Sequence, residues 1–267
     1  MDKNQILLKQ LDNVKKRENK FLDQKENAFI KNSIKPTMDK LQDKVPRKFI
    51  SILDTAFYKG FQFVFEKGNP LIEKTYDKEK MELEHDLNNY AVDKYSSKKH
   101  IKKMDKQSNQ SMALNQSISL IEGGILGLLG IGLPDIPIFL SVIIRTIDEI
   151  ALSYGYQYDT DEEKAFILYV ICGAMTKEEK QKEYDQKIDL IGMNIDSNTY
   201  EGLHLDDVMK ETSQLLSSTL LTVKLIQGLP IIGVIGGAIN PTIISKVGKY
   251  ARLKYKKRYL LKKMDEL

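Results

Sequence analysis

Hydrophobic positions along this chain recur at helical steps almost from end to end. In residues 1–35, Leu7, Leu8, Leu11, Val14, Phe21 and Leu22 fall at roughly three- and four-residue spacings in a lysine-rich background. That pattern predicts a polar helix appended as an arm. Between Arg47 and Lys67, Phe49, Ile50, Leu53, Phe57, Phe61, Val64 and Phe65 form a clear amphipathic stripe, which Gly68-Asn69-Pro70 ends. Residues 71–109 are highly charged, with sparse apolar positions at Met81, Leu83, Leu87, Tyr90 and Ala91, and predict one or two surface helices. Thr160-Asp161-Glu162-Glu163 reads as a capping box opening a helix over 161–174. Its uninterrupted apolar run Phe166–Cys172 predicts burial on most sides. Thr176-Lys177-Glu178-Glu179 reads as a second capping box, starting a helix that reaches about Ile191. A polar loop over Asn194–Asp206, a helix over Val208–Val223 and a basic helix from about Thr242 to Met264 follow. No segment sustains period-two alternation, so the expected fold is all-α.

Two stretches depart from this rhythm. From Ser108 to Ile144 only Glu122 and Asp135 are charged, and Gly123, Gly124, Gly127, Gly130 and Gly132 precede Leu133-Pro134-Asp135-Ile136-Pro137. The prolines divide the stretch, and a helix is expected from about Ile136 to Leu152, ending at Tyr154-Gly155-Tyr156. Asp135 is placed to cap it, with Pro137 in the tolerant first turn. From Leu225 to Ser245 no residue is charged, and Gly228, Gly233, Gly236 and Gly237 are interspersed with Pro230 and Pro241. An interior glycine costs a helix about 1 kcal/mol against alanine, so close helix contact is the expected return. The steps Gly123 to Gly127 and Gly233 to Gly237 place small residues on one face, where backbones approach closely.

Two environments accommodate such segments. A spanning helix needs ~20 apolar residues. Leu225–Ser245 has the length, yet it carries Pro230, Pro241, Gln227 and Asn240, and the first stretch contains Glu122 and Asp135. A helical hairpin at the membrane interface fits better than a simple span. The other environment is the tightly packed core of a soluble helical domain, with the two segments as mutual partners.

Charge sharpens the picture. The 267 residues carry a net charge of +4, but nine cations and no acid lie between Lys246 and Lys263, so the remainder is net negative. On that helix Ile244, Val247, Ala251, Tyr255 and Tyr259 share one face, and Lys246, Lys249, Arg252, Lys256 and Lys263 the other. A basic amphipathic helix of this kind is a ligand for anionic lipid, with Lys249, Arg252, Lys256 and Arg258 as candidate lipid-binding residues; a solvated basic face over a packed helix is the alternative. The run Lys98-Lys99-His100-Ile101-Lys102-Lys103 reads as a solvated face. The N-terminal 29 residues lack the apolar stretch of a secretory signal. Cys172 is the only cysteine, which suits a reducing compartment, and its apolar setting marks a core residue.

Signatures of catalysis or metal binding are missing. His85 and His204 have acidic neighbours but no tight metal-ligand spacing, and neither a phosphate-binding Gly-Lys-Ser/Thr loop nor a Gly-x-Ser-x-Gly elbow occurs. No catalytic residue, metal or cofactor is therefore assigned. Asp135 and Arg145 are the polar groups in otherwise apolar surroundings. They read either as a helix cap and an Arg145–Glu149 pair, or as a polar pair that orients the glycine hairpin or holds a ligand headgroup.

Taken in order, Gly123-Gly124-Ile125-Leu126-Gly127, Leu133-Pro134-Asp135-Ile136-Pro137, Arg145, Tyr154-Gly155-Tyr156, Glu162-Glu163, Leu229-Pro230-Ile231-Ile232-Gly233, Gly236-Gly237-Ala238, Asn240 and Ala251-Arg252 resemble the EcsC protein family. The resemblance runs from about Val45 to Lys263, which leaves 1–35 as an arm and 36–267 as an EcsC-like helical domain. It implies a bacterial, α-helical protein, named after a member encoded with an ABC-type transporter, and brings no mechanism with it. It adds Tyr154 and Glu163 to Asp135 and Arg145 as a candidate polar motif.

The expectation is a membrane-associated accessory protein on the cytoplasmic face, peripheral to or partly inserted at the inner side of the cell membrane. Its partners would be the membrane surface or anionic lipid, with a membrane protein such as an ABC-type transporter as a further candidate. Nucleic acid is disfavoured by the acidic remainder of the chain. A soluble helical protein-interaction module and an uncharacterised enzyme are the alternatives.

Overall fold

The computed structural model describes residues 3–23, 47–68, 72–95, 97–117, 135–199, 202, 204–226 and 241–267. Among them are nine α-helices and no strand: α1 Lys3–Leu22, α2 Arg47–Phe63, α3 Lys78–Tyr95, α4 Lys98–Ser117, α5 Asp135–Ser153, α6 Asp161–Met175, α7 Glu178–Asp196, α8 Leu205–Ile226 and α9 Pro241–Asp265. The expected all-α fold is the observed one. Gly123, Gly127, Gly233 and Gly237, and the side chain of Asp135, lie outside the described residues.

Local sequence explains most boundaries. Thr160 caps α6 by accepting from the Glu163 N–H at 3.2 Å. Its helix ends where Thr176 turns back, with its N–H and its hydroxyl both donating to the Cys172 carbonyl. Thr176 thus closes α6 and does not open α7. The N-cap of α7 is Lys177, without a side-chain cap, and Glu178 takes a positive φ of 53°. α2 widens into a single π-helical turn at Val64–Gly68, and the charged region behind it resolves into two helices, α3 and α4.

The organising element is α9. It packs on α1, α4, α5, α6 and α7, while α8 closes the far side against α2 and α6. α1, the head of the segment read as an arm, lies along α9 with Leu7, Leu11, Val14 and Phe21 buried, and Phe21 stacks on Tyr250 at 4.8 Å. α9 was expected to show a basic face to solvent or lipid. Instead Tyr250, Ala251, Lys254, Tyr255, Arg258, Tyr259 and Leu260 are all buried, so burial runs around the helix and takes charged residues with it.

Burying an ammonium or guanidinium group is costly unless opposite charges meet it. Every surrounding helix but α5 supplies one here. Lys254, 1% exposed, lies 2.6 Å from Glu18 of α1 and 2.5 and 2.9 Å from Asp185 and Asp189 of α7. Lys257 shares Glu18 and Asp189 at 2.7 and 2.6 Å. Lys256 reaches Asp105 of α4 at 2.7 Å, and Lys263 reaches Asp93 of α3 at 3.0 Å. Arg258 joins Glu163 of α6 at 2.7 Å and donates two bonds to Asp196 of α7. Gly192 makes that last approach feasible, since a Cβ there would stand 2.9 Å from the Arg258 side chain.

Removing the shared cation should therefore unfold the bundle early. Lys254→Met leaves three carboxylates without it, and a loss of about 3 kcal/mol is expected in urea denaturation. A midpoint equal to that of the parent protein would show that the network is not what binds α1 and α7 to α9.

Candidate functional site

The residues singled out in the sequence fall at three places. Arg145 donates to Glu149 at 2.8 Å and to the Thr75 carbonyl at 3.0 Å, and its guanidinium lies 5.7 Å from the centre of the Tyr76 ring. Tyr154 donates to Asp105 at 2.8 Å, and that carboxylate's other oxygen takes the Lys256 ammonium. Glu163 meets Arg258 and accepts from Tyr255 at 3.2 Å. Tyr154 and Glu163 are thus both tied to α9, one through Asp105 and one directly. Arg145 is engaged elsewhere, with the loop ahead of α3. Gly155 separates Tyr154 from Tyr156 in the left-handed conformation, φ 81°, and the His85 ring lies so close that a Cβ there would be 2.2 Å from it.

The four candidate lipid ligands separate in the same way. Lys249 is exposed, and Arg252 is half-buried against Asn109. Lys256 and Arg258 are buried and committed to carboxylates inside the molecule. Burial lowers the Lys256 pKa from the ordinary lysine value, and Asp105 works against that shift.

Chemistry for a reaction is sparse. Cys172 is fully buried, its thiol donates to Thr212 at 3.3 Å, and burial pushes its pKa up to about 12, so the reactive thiolate is suppressed. Among the described residues the one carboxylate group with metal-like spacing is Glu18, Asp185 and Asp189, and the Lys254 ammonium already serves it.

A different polar centre lies beside Arg145, and no pattern in the sequence flagged it. Asp148 is 1% exposed, and neither of its carboxylate oxygens has a hydrogen-bond partner among the described residues. Around it Tyr76 and Tyr158 join hydroxyls at 2.7 Å, Tyr158 donates to Glu73 at 2.6 Å, and Lys78 binds Glu73 at 3.1 Å. Burial pushes the Asp148 carboxyl well above the usual carboxylate range, and Asp159, Glu149 and Glu73 push the same way, against Lys78. Burial therefore favours the neutral form of Asp148 over the charged one. Asp148 stands one residue from Glu149 in an apolar run, which was its only sequence signal.

A row of exposed positive charge lies on α4. Ile101, Met104, Ser108 and Ser111 face the interior, while Lys98, Lys99, Lys102, Lys103 and Lys106 are all exposed. Among the described residues none of these ammonium groups has a carboxylate within ion-pair distance; the one acid in their midst, Asp105, is turned inward to Lys256. Lys98 and Lys99 also occupy the first turn of α4, which contains no acid, where a cation opposes the helix dipole. His100 is bonded to Asn88 of α3 at 2.9 Å and holds the two helices side by side. On α3 the outward positions are Leu83, Leu87 and Tyr90, with Lys94 one turn further on.

The model of the EcsC protein family matches residues 8–260, which takes in most of α1 as well as the segments recognised in the sequence. No curated protein and no solved structure matches the chain. No helix among the described residues is long and apolar enough to cross a membrane.

The buried acid gives a directional test. A carboxyl whose folded pKa is raised keeps its full contribution to stability below the unfolded value near 4, and loses it as pH climbs toward the folded value. The loss is about 1.4 kcal/mol for each unit climbed in that window. Asp148→Asn should therefore raise the melting temperature at neutral pH, with the advantage shrinking to nothing near pH 4. A variant less stable at every pH would mean that Asp148 acts as a charged anchor.

Proposed function

The chain belongs to the EcsC protein family, and on that premise we propose that it is a membrane-associated accessory protein of the cytoplasmic face, held to anionic lipid through the lysine face of α4. The observation that carries this reading is the contrast between the two basic helices. The cations buried along α9 are met by carboxylates within the molecule, whereas five lysines of α4 project outward without a counter-ion among the described residues. Among the described residues that row meets no carboxylate, and Lys98 and Lys99 stand where the helix dipole disfavours them. A surface carrying negative headgroups supplies the missing charge, at about 1 kcal/mol per lysine close to the membrane.

The reading assigns the lipid contact to α4 in preference to α9, which the sequence pattern favours. The attraction is electrostatic and falls with ionic strength. The reading assigns no reaction. It treats the carboxylates facing α9 as the means by which the bundle holds its shape, and gives the polar centre at Asp148 no part in lipid binding.

Co-sedimentation with vesicles of phosphatidylcholine, with and without phosphatidylglycerol, tests it. Binding should require the anionic lipid and weaken steeply as salt is added. Lys98→Gln, Lys102→Gln and Lys106→Gln together should lower affinity roughly a hundredfold, from three lysines at about 1 kcal/mol each. Lys249→Gln should change it little. Equal binding by the triple variant and the parent protein would exclude α4 as the contact.

A further inference from the structure

Resting on that reading, we infer that α3 and α4 form one bilayer-docking surface, on which Leu83, Leu87 and Tyr90 enter the interfacial region while the α4 lysines hold the headgroups. The three residues recur at steps of four and three along α3, so they lie on a single stripe. They are 59%, 63% and 59% exposed, among the largest apolar exposures on the described surface. The opposite side of α3, with Met81, His85, Ala91 and Val92, is buried. The stripe is therefore the second apolar face of a helix whose first face already packs on the body, and among the described residues nothing covers it.

Position and charge select the occupant. The Asn88–His100 bond and the packing of α3 on α4 set the helix that carries the stripe next to the helix that carries the lysines. Lys94 continues the stripe and lies 5.4 Å from the centre of the Tyr90 ring and 5.5 Å from that of Tyr95, itself 65% exposed. Two tyrosines under a lysine at the end of a helix are amphipathic groups of the kind that settle at headgroup depth. The exposed acids of α3, Glu79, Asp86 and Asp93, border the stripe on the side away from α4. From one edge to the other the surface therefore runs acidic, apolar and basic. A soluble polyanion would satisfy the lysines and leave Leu83 and Leu87 in water. An anionic bilayer satisfies both at once, because apolar area and basic charge add in binding at a membrane interface.

The chain contains no tryptophan, so one introduced residue is a clean reporter. Leu87→Trp, in full-length protein, should show a blue-shifted emission on addition of phosphatidylglycerol vesicles and no shift with inorganic polyphosphate of equal total charge. Leu83→Ser, Leu87→Ser and Tyr90→Ser together, all at exposed positions, should bind the same vesicles roughly tenfold more weakly with an unchanged helical circular dichroism spectrum. If Leu87→Trp sediments with vesicles and its emission stays that of a water-exposed indole, insertion of the stripe is overturned while the electrostatic reading stands. If neither the parent protein nor the reporter sediments, both fall. Equal shifts with vesicles and polyphosphate would replace the bilayer with a soluble anion as occupant.

Discussion

Lys254 carries a full positive charge at a position with almost no contact with water, and the arrangement of the bundle follows from meeting that charge. Removing an ammonium ion from water costs several kcal/mol even after relaxation, and a single carboxylate rarely recovers it. Three converge here, one from α1 and two from α7. Because Lys257 uses two of the same three, the positions of α1, α7 and α9 are fixed together. The pattern repeats along α9, with α4 joined through Asp105, α6 through Glu163 and α3 through Asp93. Apolar contact alone lets helices slide past one another at modest cost. Buried ion pairs do not, since each register shift leaves a charge unmatched.

That logic explains what was legible in the sequence. Spacing along α2, α5 and α6 gave their existence and their ends to within a few residues, because apolar periodicity and the Thr160 cap act locally. The setting of α9 was not legible. Taken alone, its lysines look like a water-facing side, and their partners are spread over residues 18 to 196. One clue was present. Leu7, Leu11, Val14, Glu18 and Phe21 recur at steps of four and three, so an acid occupies a position that burial should reserve for an apolar residue. A carboxylate on an apolar stripe implies a buried cation elsewhere, and α9 holds the supply. The same clue separates α1 from an arm, since an appended helix has no use for a buried glutamate.

The capping residues show the complementary limit. Thr160 and Thr176 have the same sequence signature, a threonine three residues before a glutamate. At Thr160 the hydroxyl accepts from the Glu163 N–H, whereas at Thr176 it donates backward to Cys172 and finishes the preceding helix. The two helices are separated by too few residues for Thr176 to serve both, and the carbonyl end of α6 is buried, so its need is met first.

α4 and α9 together show how similar lysine-rich composition comes to opposite ends. In α9 basic side chains reach carboxylates carried by neighbouring helices, and their charge becomes part of the core. In α4 the lone acid is drawn inward by Lys256, which strips the lysine face of its nearest internal counter-ion. The pairing that secures α4 to α9 therefore also leaves α4 positive outside. Net charge of the whole chain, +4, hides this division, because the acids that balance α9 lie within the bundle and do little to offset the field over α4. The basic helix available to an external partner is the one whose acid has been taken up inside.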